Sequence, residues 1–198
     1  MASGAGMSMK NAGRTVPRAL ARMVGLVDHG AIIKNRYKAE LWRPRIDLDT
    51  GIVIPELVWE DDVHNLVVTE GRNHYLNVEF KGTTPITSWY VGLTQGSPSV
   101  AAGDTLASHG GWVEEATYTG NRKALTLGTV SAGSVDNSAS KASFAITGSV
   151  TIGGAFVASV NTGTSGTLHG GGAFTGGNRS ALSGDTLDVT VTLSITSS

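Results

Sequence analysis

Residues 186–196, with the sequence TLDVTVTLSIT, decide the fold class of this chain. Apolar side chains occupy every second position from Leu187 to Ile195, and polar side chains stand between them. Successive side chains of a β-strand point to opposite faces of the sheet. The segment therefore predicts a strand with one buried face and one solvated face, as is usual in antiparallel sheets.

The sequence before this strand has the same character. The chain contains 27 Gly and only 16 % charged residues, and its second half is rich in Ser, Thr, Ala and Val, a composition typical of strands and turns. Turn signals separate the candidate strands. These strands are residues 89–93, 112–118, 124–131, 142–152, 155–161, 166–169 and 186–196. One helix is predicted at residues 69–80, with Thr69 as its N-cap. We expect an all-β body, a β-sandwich or jelly roll.

Charge divides the chain into two parts. Residues 1–45 contain nine Lys/Arg and two acids, and residues 46–198 contain six and fourteen. The balance is therefore +7 followed by −8, which gives the net charge of −1. The only acidic run is Glu60-Asp61-Asp62, and we place a domain boundary there. The prediction is an N-terminal attachment arm at 1–62 and a β-sandwich body at 63–198.

The arm is predicted to begin with a short amphipathic helix near residues 16–28. Thr15 is a suitable N-cap and Pro17 suits the first turn. Five apolar residues recur at helical spacing: Val16, Leu20, Met23, Val24 and Val27. Arginines at positions 14, 18 and 22 form another face. Such a helix is too short to be stable alone in water, so we expect it to bind a surface.

Two strands are predicted after this helix, near residues 31–42 and 46–59, with a turn at Asp49-Thr50-Gly51. We expect the strand at 37–42 to add to an exposed sheet edge of a neighbouring protein. The predicted partner-binding residues of the arm are Arg14, Arg18, Leu20, Arg22, Met23, Val24, Val27, Tyr37, Leu41 and Trp42.

The arginine face has several interpretations: an acidic protein surface, a membrane surface, packaged nucleic acid, or simply a solvated helix face. No aromatic residues are interleaved with these arginines, so single-strand binding gains no support. We favour a protein surface. The first nine residues hold no apolar run of signal-peptide length, and no stretch of about 18 apolar residues occurs. Neither ordinary secretion nor a membrane-spanning helix is therefore expected.

Catalytic and metal-binding patterns are not apparent. The chain has no Cys and five His without metal-ligand spacing. His109 near Asp104 suggests a nucleophile arrangement, but no Gly-x-Ser-x-Gly elbow accompanies it, and a turn histidine under Trp112 is the favoured interpretation. Glu60-Asp61-Asp62 and Glu114-Glu115 lack the spacing of a calcium loop and are interpreted as solvated charge or as a patch that meets a neighbour's basic arm. We expect no catalytic residue, metal or cofactor.

The glycine-rich segment at residues 163–177 is not a phosphate loop, because it lacks the Gly-Lys-Ser/Thr ending. Tight turns and close strand approach explain its glycines. The alternative is a mobile tip that recognises a host glycan, with Trp112, Tyr118 and Asn178 as contacts.

Five segments, in order, resemble a family of small virion structural proteins of tailed bacteriophages. They are residues 89–93 (WYVGL), 102–105 (AGDT), 108–112 (SHGGW), 134–142 (SVDNSASKA) and 153–156 (GGAF). The resemblance covers roughly residues 35–198 and gives no catalytic residue. It implies a virion component, and a capsid decoration (cement) protein suits this architecture best.

The expected function is therefore non-enzymatic: a decoration protein, assembled in the host cytoplasm, that binds the capsid exterior and stabilises the shell through its arm. Its expected partners are the major capsid protein and neighbouring copies of itself, as a homo-oligomer on the virion, without nucleic acid or membrane. The alternative is a tail-associated structural or host-surface binding module. A cell-wall hydrolase is a third, weaker hypothesis.

Overall fold

The structure is a computed structural model that describes residues 31–197. It contains eleven strands and one helix in these residues. The elements are β1 (Ala31–Ile46), β2 (Val53–Val67), α1 (Thr69–Lys81), β3 (Tyr90–Gln95), β4 (Glu114–Glu115), β5 (Lys123–Ala124), β6 (Ser134–Asp136), β7 (Ala142–Ala145), β8 (Val150–Ala158), β9 (Leu168–Phe174), β10 (Arg179–Ala181) and β11 (Thr186–Ser197). The predicted all-β class is confirmed.

All strands belong to one antiparallel sheet with the order β4-β3-β8-β9-β2-β1-β11-β6, to which β5, β7 and β10 add short pairings. The sheet curls until its two ends meet. Tyr118, between β4 and β5, forms a bridge with Ile146, just after β7. The Thr119 N–H also donates to the Ala145 carbonyl at 2.9 Å. The result is sandwich-like, with an enclosed apolar interior.

The interior is filled by side chains that alternate along β1 and β11. Tyr37, Ala39 and Leu41 of β1 are completely buried. Leu187, Val189 and Val191 of β11 are completely buried as well. β1 and β11 pair over twelve positions, from Ala31↔Ser197 to Trp42↔Thr186. The predicted alternation of residues 186–196 is therefore confirmed along the inner half of β11.

The placement of β1 corrects the predicted domain boundary. β1 lies in the middle of the sheet, between β2 and β11, and its buried residues belong to the same core as Val91 and Phe144. Residues 31–62 are thus part of the body rather than of an arm. The predicted addition of residues 37–42 to a neighbour's sheet was also wrong, because both edges of that segment are already paired within the chain. The predicted helix near 16–28 lies outside the described residues.

The basic residues of β1 are neutralised within the fold. Four of them pair with acids from the later part of the chain: Arg36 with Asp62 (2.9 Å), Lys38 with Glu60 (2.8 Å), Arg43 with Asp185 (2.7 Å) and Arg45 with Glu56 (3.5 Å). Within β1, most of the basic charge is therefore paired with acidic residues of the same fold.

Helix α1 is confirmed, with one correction at its start. Val68 is the N-cap residue and makes no side-chain cap bond, so Thr69 is the first helical residue and not the cap. Gly82 ends the helix in the left-handed conformation, with φ 65°, as glycine commonly does. Gly71 lies against β9, where a Cβ atom would collide with the carbonyl oxygen of His169. This contact explains a glycine in the first turn.

Several predicted strands differ in length. Residues 112–118 contribute only the two-residue strand β4, and residues 124–131 contribute only Ala124 of β5. Trp112 is buried although it lies outside every strand. Residues 142–152 divide into β7 and the start of β8. β9 runs through three successive glycines, and a Cβ on Gly154 of β8 would collide with the Gly172 carbonyl oxygen. The expected close strand approach is confirmed.

Candidate interface on the β1–β2 hairpin

The β1–β2 hairpin extends beyond the rest of the sheet. Pairing of β1 with β11 ends at Trp42, and pairing of β2 with β9 begins only at Val63. Between these points, β1 and β2 pair only with each other. We call residues 42–58 the ribbon.

The tip of the ribbon is a well-formed turn. The Asp47 carboxylate accepts hydrogen bonds from the amides of Asp49 (2.9 Å) and Thr50 (3.0 Å). These bonds hold the pKa of Asp47 below its usual range. Gly51 has φ 70°, which glycine adopts without strain. The predicted turn at Asp49-Thr50-Gly51 is confirmed, so the ribbon has a defined end rather than a loose loop.

One face of the ribbon is entirely apolar. Directly opposed residues of an antiparallel pair share a face, and three alternate pairs place six apolar residues together. These pairs are Trp42↔Leu57, Pro44↔Pro55 and Ile46↔Val53. We call these six residues the ribbon face. Ile46 and Val53 are 59 % and 62 % exposed, and Leu48 at the tip is 90 % exposed. This grouping of exposed apolar side chains makes the ribbon face a candidate interaction site.

The sheet surface next to the ribbon face is charged. Continuing along the same side of β1 and β2, the alternating positions are Glu40 and Lys38, opposed by Glu60 and Asp62. The change from charged to apolar coincides with a register shift between Leu41 and Trp42, which leaves Val58 without a Cα partner. This bulge, a device that re-aims side chains, brings Leu57 onto the apolar side. The ribbon face is thus sharply bounded.

The opposite face of the ribbon carries Arg43, Arg45, Ile54 and Glu56. The Arg43 guanidinium makes a bidentate contact with Asp185, at 2.8 and 2.7 Å. Asp185 is only 2 % exposed and also accepts the Leu182 amide. The hydrogen bonds from Arg43 are the main cause of the lowered pKa of Asp185. This ion pair fixes the root of the ribbon to the turn before β11.

Prolines protect both outer edges of the ribbon. Pro44 and Pro55 oppose each other, and neither has an N–H, so the backbone nitrogens at this pair do not donate across the ribbon or toward an added strand. Proline is a common device against edge-to-edge strand addition. The ribbon is therefore suited to docking through its apolar face and not to extending a neighbour's sheet.

The ribbon face is small for a complete interface. At about 3.4 Å per residue and 4.8 Å between strands, it covers on the order of 200 Å², whereas a stable interface buries about 800 Å² per partner. A concavity of about 470 Å³ continues from the ribbon face onto the body, between Pro44, Pro55 and residues Gly184 and Thr186. A partner that fills this concavity would gain further contact area.

Of the predicted arm residues, the structure places only Trp42 on the ribbon face. Tyr37 and Leu41 are buried in the core and have no surface to offer a partner, which corrects their predicted role. The other members lie outside the described residues: Arg14, Arg18, Leu20, Arg22, Met23, Val24 and Val27. Sequence reasoning missed Pro44, Ile46, Val53, Pro55 and Leu57. One signal was available in the sequence. The predicted turn at residues 49–51 implies that the strands on its two sides pair, and counting outward from the turn gives the pair Ile46↔Val53.

The predicted loop-recognition residues do not form a binding site. Trp112 and Tyr118 are 5 % and 6 % exposed, and Tyr118 packs edge-on against Phe144. Asn178 is exposed, but its Oδ1 accepts the Ser97 amide at 2.7 Å and its Nδ2 donates to the Ser97 hydroxyl. Much of the predicted mobile segment 163–177 is the buried strand β9. The three residues predicted to contact a glycan are therefore buried or already hydrogen-bonded within the chain.

His109 and Asp104 form no nucleophile arrangement. The Trp112 indole N–H donates to Asp104 at 3.1 Å, and the His109 ring stacks on Trp112 with centroids 3.7 Å apart. His109 Nδ1 lies 3.1 Å from the Trp112 carbonyl oxygen. The histidine closes a turn over Trp112, as the favoured interpretation predicted.

The acidic groups are held by cations of the same chain. Asp61 is buried and binds Arg179 (2.6 Å) together with the Gly176 amide. Glu114 makes a bidentate contact with the buried Arg122 at 2.8 and 2.7 Å. The interpretation of these acids as solvated charge was therefore wrong for Asp61 and Glu114. Within residues 31–197, no three His, Cys, Asp or Glu side chains are grouped as a metal site.

The most perturbed histidine is His169 of β9. Burial lowers its pKa to about 4. Its Nδ1 accepts a hydrogen bond from the Asn35 amide at 2.9 Å, and Nε2 lies 3.0 Å from the Tyr75 hydroxyl. Because an amide N–H2 group only donates, the neutral ring carries its proton on Nε2. The group is a buried polar connection between β1, α1 and β9.

Comparison with known proteins adds no relative: no family model and no curated protein matches the chain. Across the described residues, no helix has both the length and the hydrophobicity required to span a membrane. The ribbon face is therefore the surface on which a functional hypothesis rests.

Proposed function

We propose that this chain is a non-enzymatic virion structural protein of a tailed bacteriophage, a capsid decoration protein that binds the exterior of the shell. The observation that carries this proposal is the ribbon face, six apolar side chains on a hairpin that extends from the body. Its partners would be the major capsid protein and neighbouring copies of the same chain.

The geometry of the ribbon supports attachment to a large partner. The ribbon face is too small to hold two isolated molecules together, but it can enter a cleft between shell subunits while the adjoining concavity receives part of the same partner. Many copies on one shell then act together, since a polyvalent surface binds more tightly than each contact alone.

The ion pair at the ribbon root supports the same function. An attachment element transmits force only if it is fixed to the body, and Arg43 joins the ribbon to the buried Asp185 through two charge-assisted hydrogen bonds. The ribbon therefore takes the place of the predicted arm at 1–62 as the anchor in this proposal. Binding of an acidic protein surface by Arg14, Arg18 and Arg22 remains a prediction.

The proposal is tested by the occupancy of purified particles. Ile46→Lys places a charge on the ribbon face, and Ile54→Lys places the same charge on the opposite face of the same hairpin, where it serves as the matched control. Both positions are exposed, at 59 % and 41 %, so both variants should fold. Copies of each variant per shell are counted by densitometry against the major capsid protein.

We expect hundreds of copies per particle for the unchanged chain and for Ile54→Lys, and at least tenfold fewer for Ile46→Lys, since about 1.4 kcal/mol of lost affinity is tenfold. Equal occupancy of both variants would show that the ribbon face is not the anchor. A handful of copies per particle for the unchanged chain would instead support a tail-associated module.

A further inference from the structure

A second apolar surface lies at the other end of β11 from the ribbon root. It is a groove of about 380 Å³ between α1 and the segment at residues 125–135. Its walls are almost wholly apolar, and they include Val78, Trp89, Leu125, Val130, Leu193 and Ile195. Val130 at its rim is 70 % exposed. An open apolar groove of this kind is usually covered by another segment or a ligand.

One polar side chain that lines the groove, His169, is already engaged. Both ring nitrogens of His169 are hydrogen-bonded, one to Asn35 and the other to the Tyr75 hydroxyl. A small-molecule ligand is normally oriented by a few free polar groups in its pocket, and His169 offers no free ring nitrogen for this role. The groove is better suited to apolar side chains of a polypeptide.

The groove lies where the chain enters the sheet. Ile195, on its wall, pairs with Ile33, and the first described residue, Ala31, pairs with Ser197. Thirty residues precede Ala31. At about 3.3 Å per extended residue, the four residues 27–30 reach about 13 Å, enough to bring Val27 from the end of β1 to the groove.

We propose that residues 16–27 of the same chain bind this groove through their apolar residues. The sequence places Val16, Leu20, Met23, Val24 and Val27 at helical spacing, and such a ridge of apolar side chains suits an apolar groove of about 380 Å³. A short connection to β1 gives this segment an effective concentration in the millimolar range. A free peptide from another molecule has no such advantage.

Charge agrees with this orientation. Glu79 is exposed on α1, one residue from Val78 of the groove wall. Arg14, Arg18 and Arg22 lie on another face of the predicted helix, so this binding mode would leave them outside the groove, where Glu79 can attract them. The inference is independent of the proposed virion role, because it concerns the isolated protein.

Cysteine cross-linking tests the inference directly, since the natural chain has no Cys. The full-length variant Met23→Cys/Val130→Cys joins the apolar stripe to the groove rim, and Leu20→Cys/Val130→Cys is a second pair. Arg22→Cys/Val130→Cys is the matched control, because Arg22 is adjacent in sequence but lies on the basic face. Each dilute protein is oxidised and followed by non-reducing electrophoresis and peptide mass spectrometry, after circular dichroism has shown unchanged folding.

We expect an intramolecular disulfide in the Met23 and Leu20 pairs that forms about tenfold faster than in the Arg22 control, as expected for a docked segment compared with a merely tethered one. Equal rates in all three variants would overturn the inference, because the apolar stripe would then not face the groove. Disulfide-linked dimers without the intramolecular product would also overturn it, since the groove would then hold the segment of another copy.

Discussion

Arg43 and Asp185 are joined by two parallel hydrogen bonds of 2.8 and 2.7 Å, although 142 residues separate them in sequence. The carboxylate is almost completely buried and the guanidinium is about one-third exposed. Removing one partner of a buried ion pair leaves the other charge uncompensated. This pair is therefore the most sensitive polar contact of the ribbon.

We predict that Arg43→Gln lowers the free energy of unfolding, measured by urea denaturation at pH 7, because it leaves the buried Asp185 carboxylate without its cation. The matched control is Arg45→Gln, two residues along the same face of the ribbon. The Arg45–Glu56 pair is exposed on both sides at 3.5 Å, and an exposed pair contributes only about 0–1 kcal/mol. Equal losses in the two variants would contradict a fixed ribbon root.

His169 provides a prediction for pH. Its pKa falls from 6.5 to about 4 on folding because the ring is buried, so the unfolded chain binds a proton that the native protein does not bind. The contribution of neutral His169 to the free energy of unfolding is therefore fully present above about pH 6.5, and it decreases as the pH falls toward 4. The loss over this window is roughly 3 kcal/mol, at about 1.4 kcal/mol per pKa unit.

The measurement is the difference in unfolding free energy between pH 7.5 and pH 5 for the natural chain and for His169→Gln. The variant loses the hydrogen bonds to Asn35 and Tyr75 and should be less stable at both pH values, but it should have a smaller difference between them. His109→Gln, which changes the histidine stacked on Trp112, should retain the difference of the natural chain. An unchanged difference in His169→Gln would contradict the assignment.

The sequence predicted those helices, strands and turns whose formation depends on residues close together in the chain. The alternation of residues 186–196 identified β11, the Asp-Thr-Gly turn identified the hairpin, and the segment at residues 69–80 was predicted as the helix α1. Each of these signals lies within about a dozen residues. The position of β1 in the sheet depends instead on pairing with β11, about 150 residues away, and no local pattern contains that information.

The charge pattern was misleading for the same reason. Alternating Arg36, Lys38 and Glu40 on β1 are typical of a solvated strand face. In the fold, Arg36 and Lys38 pair with acids of β2, and Glu40 pairs with the Lys141 ammonium group. The ribbon face was missed because it requires the register of β1 and β2. The bulge at Val58 shifts that register by one residue, and the sequence does not reveal which strand contains the extra residue.

The contact between β8 and β9 provides a third prediction. A Cβ on Gly154 would collide with the backbone of Gly172, and a backbone atom cannot move aside as a flexible side chain can. Gly154→Ala should therefore cost several kcal/mol of stability or prevent folding. Gly103→Ala is the control, because a Cβ there meets nothing within 4 Å, and such a change is expected to be neutral or to stabilise by up to about 1 kcal/mol. Thermal denaturation of both variants measures the contrast.

The prolines of the ribbon provide the fourth prediction. Pro44 and Pro55 oppose each other on the two edge-exposed strands, and proline lacks the N–H that an added strand would accept from. Replacing both by Val gives residues with high strand propensity and restores the missing donors beside an exposed apolar face. The Pro44→Val/Pro55→Val variant should therefore associate edge to edge.

The expected result is a rise in sedimentation coefficient and in thioflavin T fluorescence with protein concentration, at concentrations where the natural chain shows neither. Pro85→Val is the control, because Pro85 lies between α1 and β3, outside every strand. If the double variant remains as dispersed as the natural chain, the prolines do not protect the ribbon edges. Association of the double variant alone would show that the ribbon keeps its apolar face available for a partner because its edges are closed to other strands.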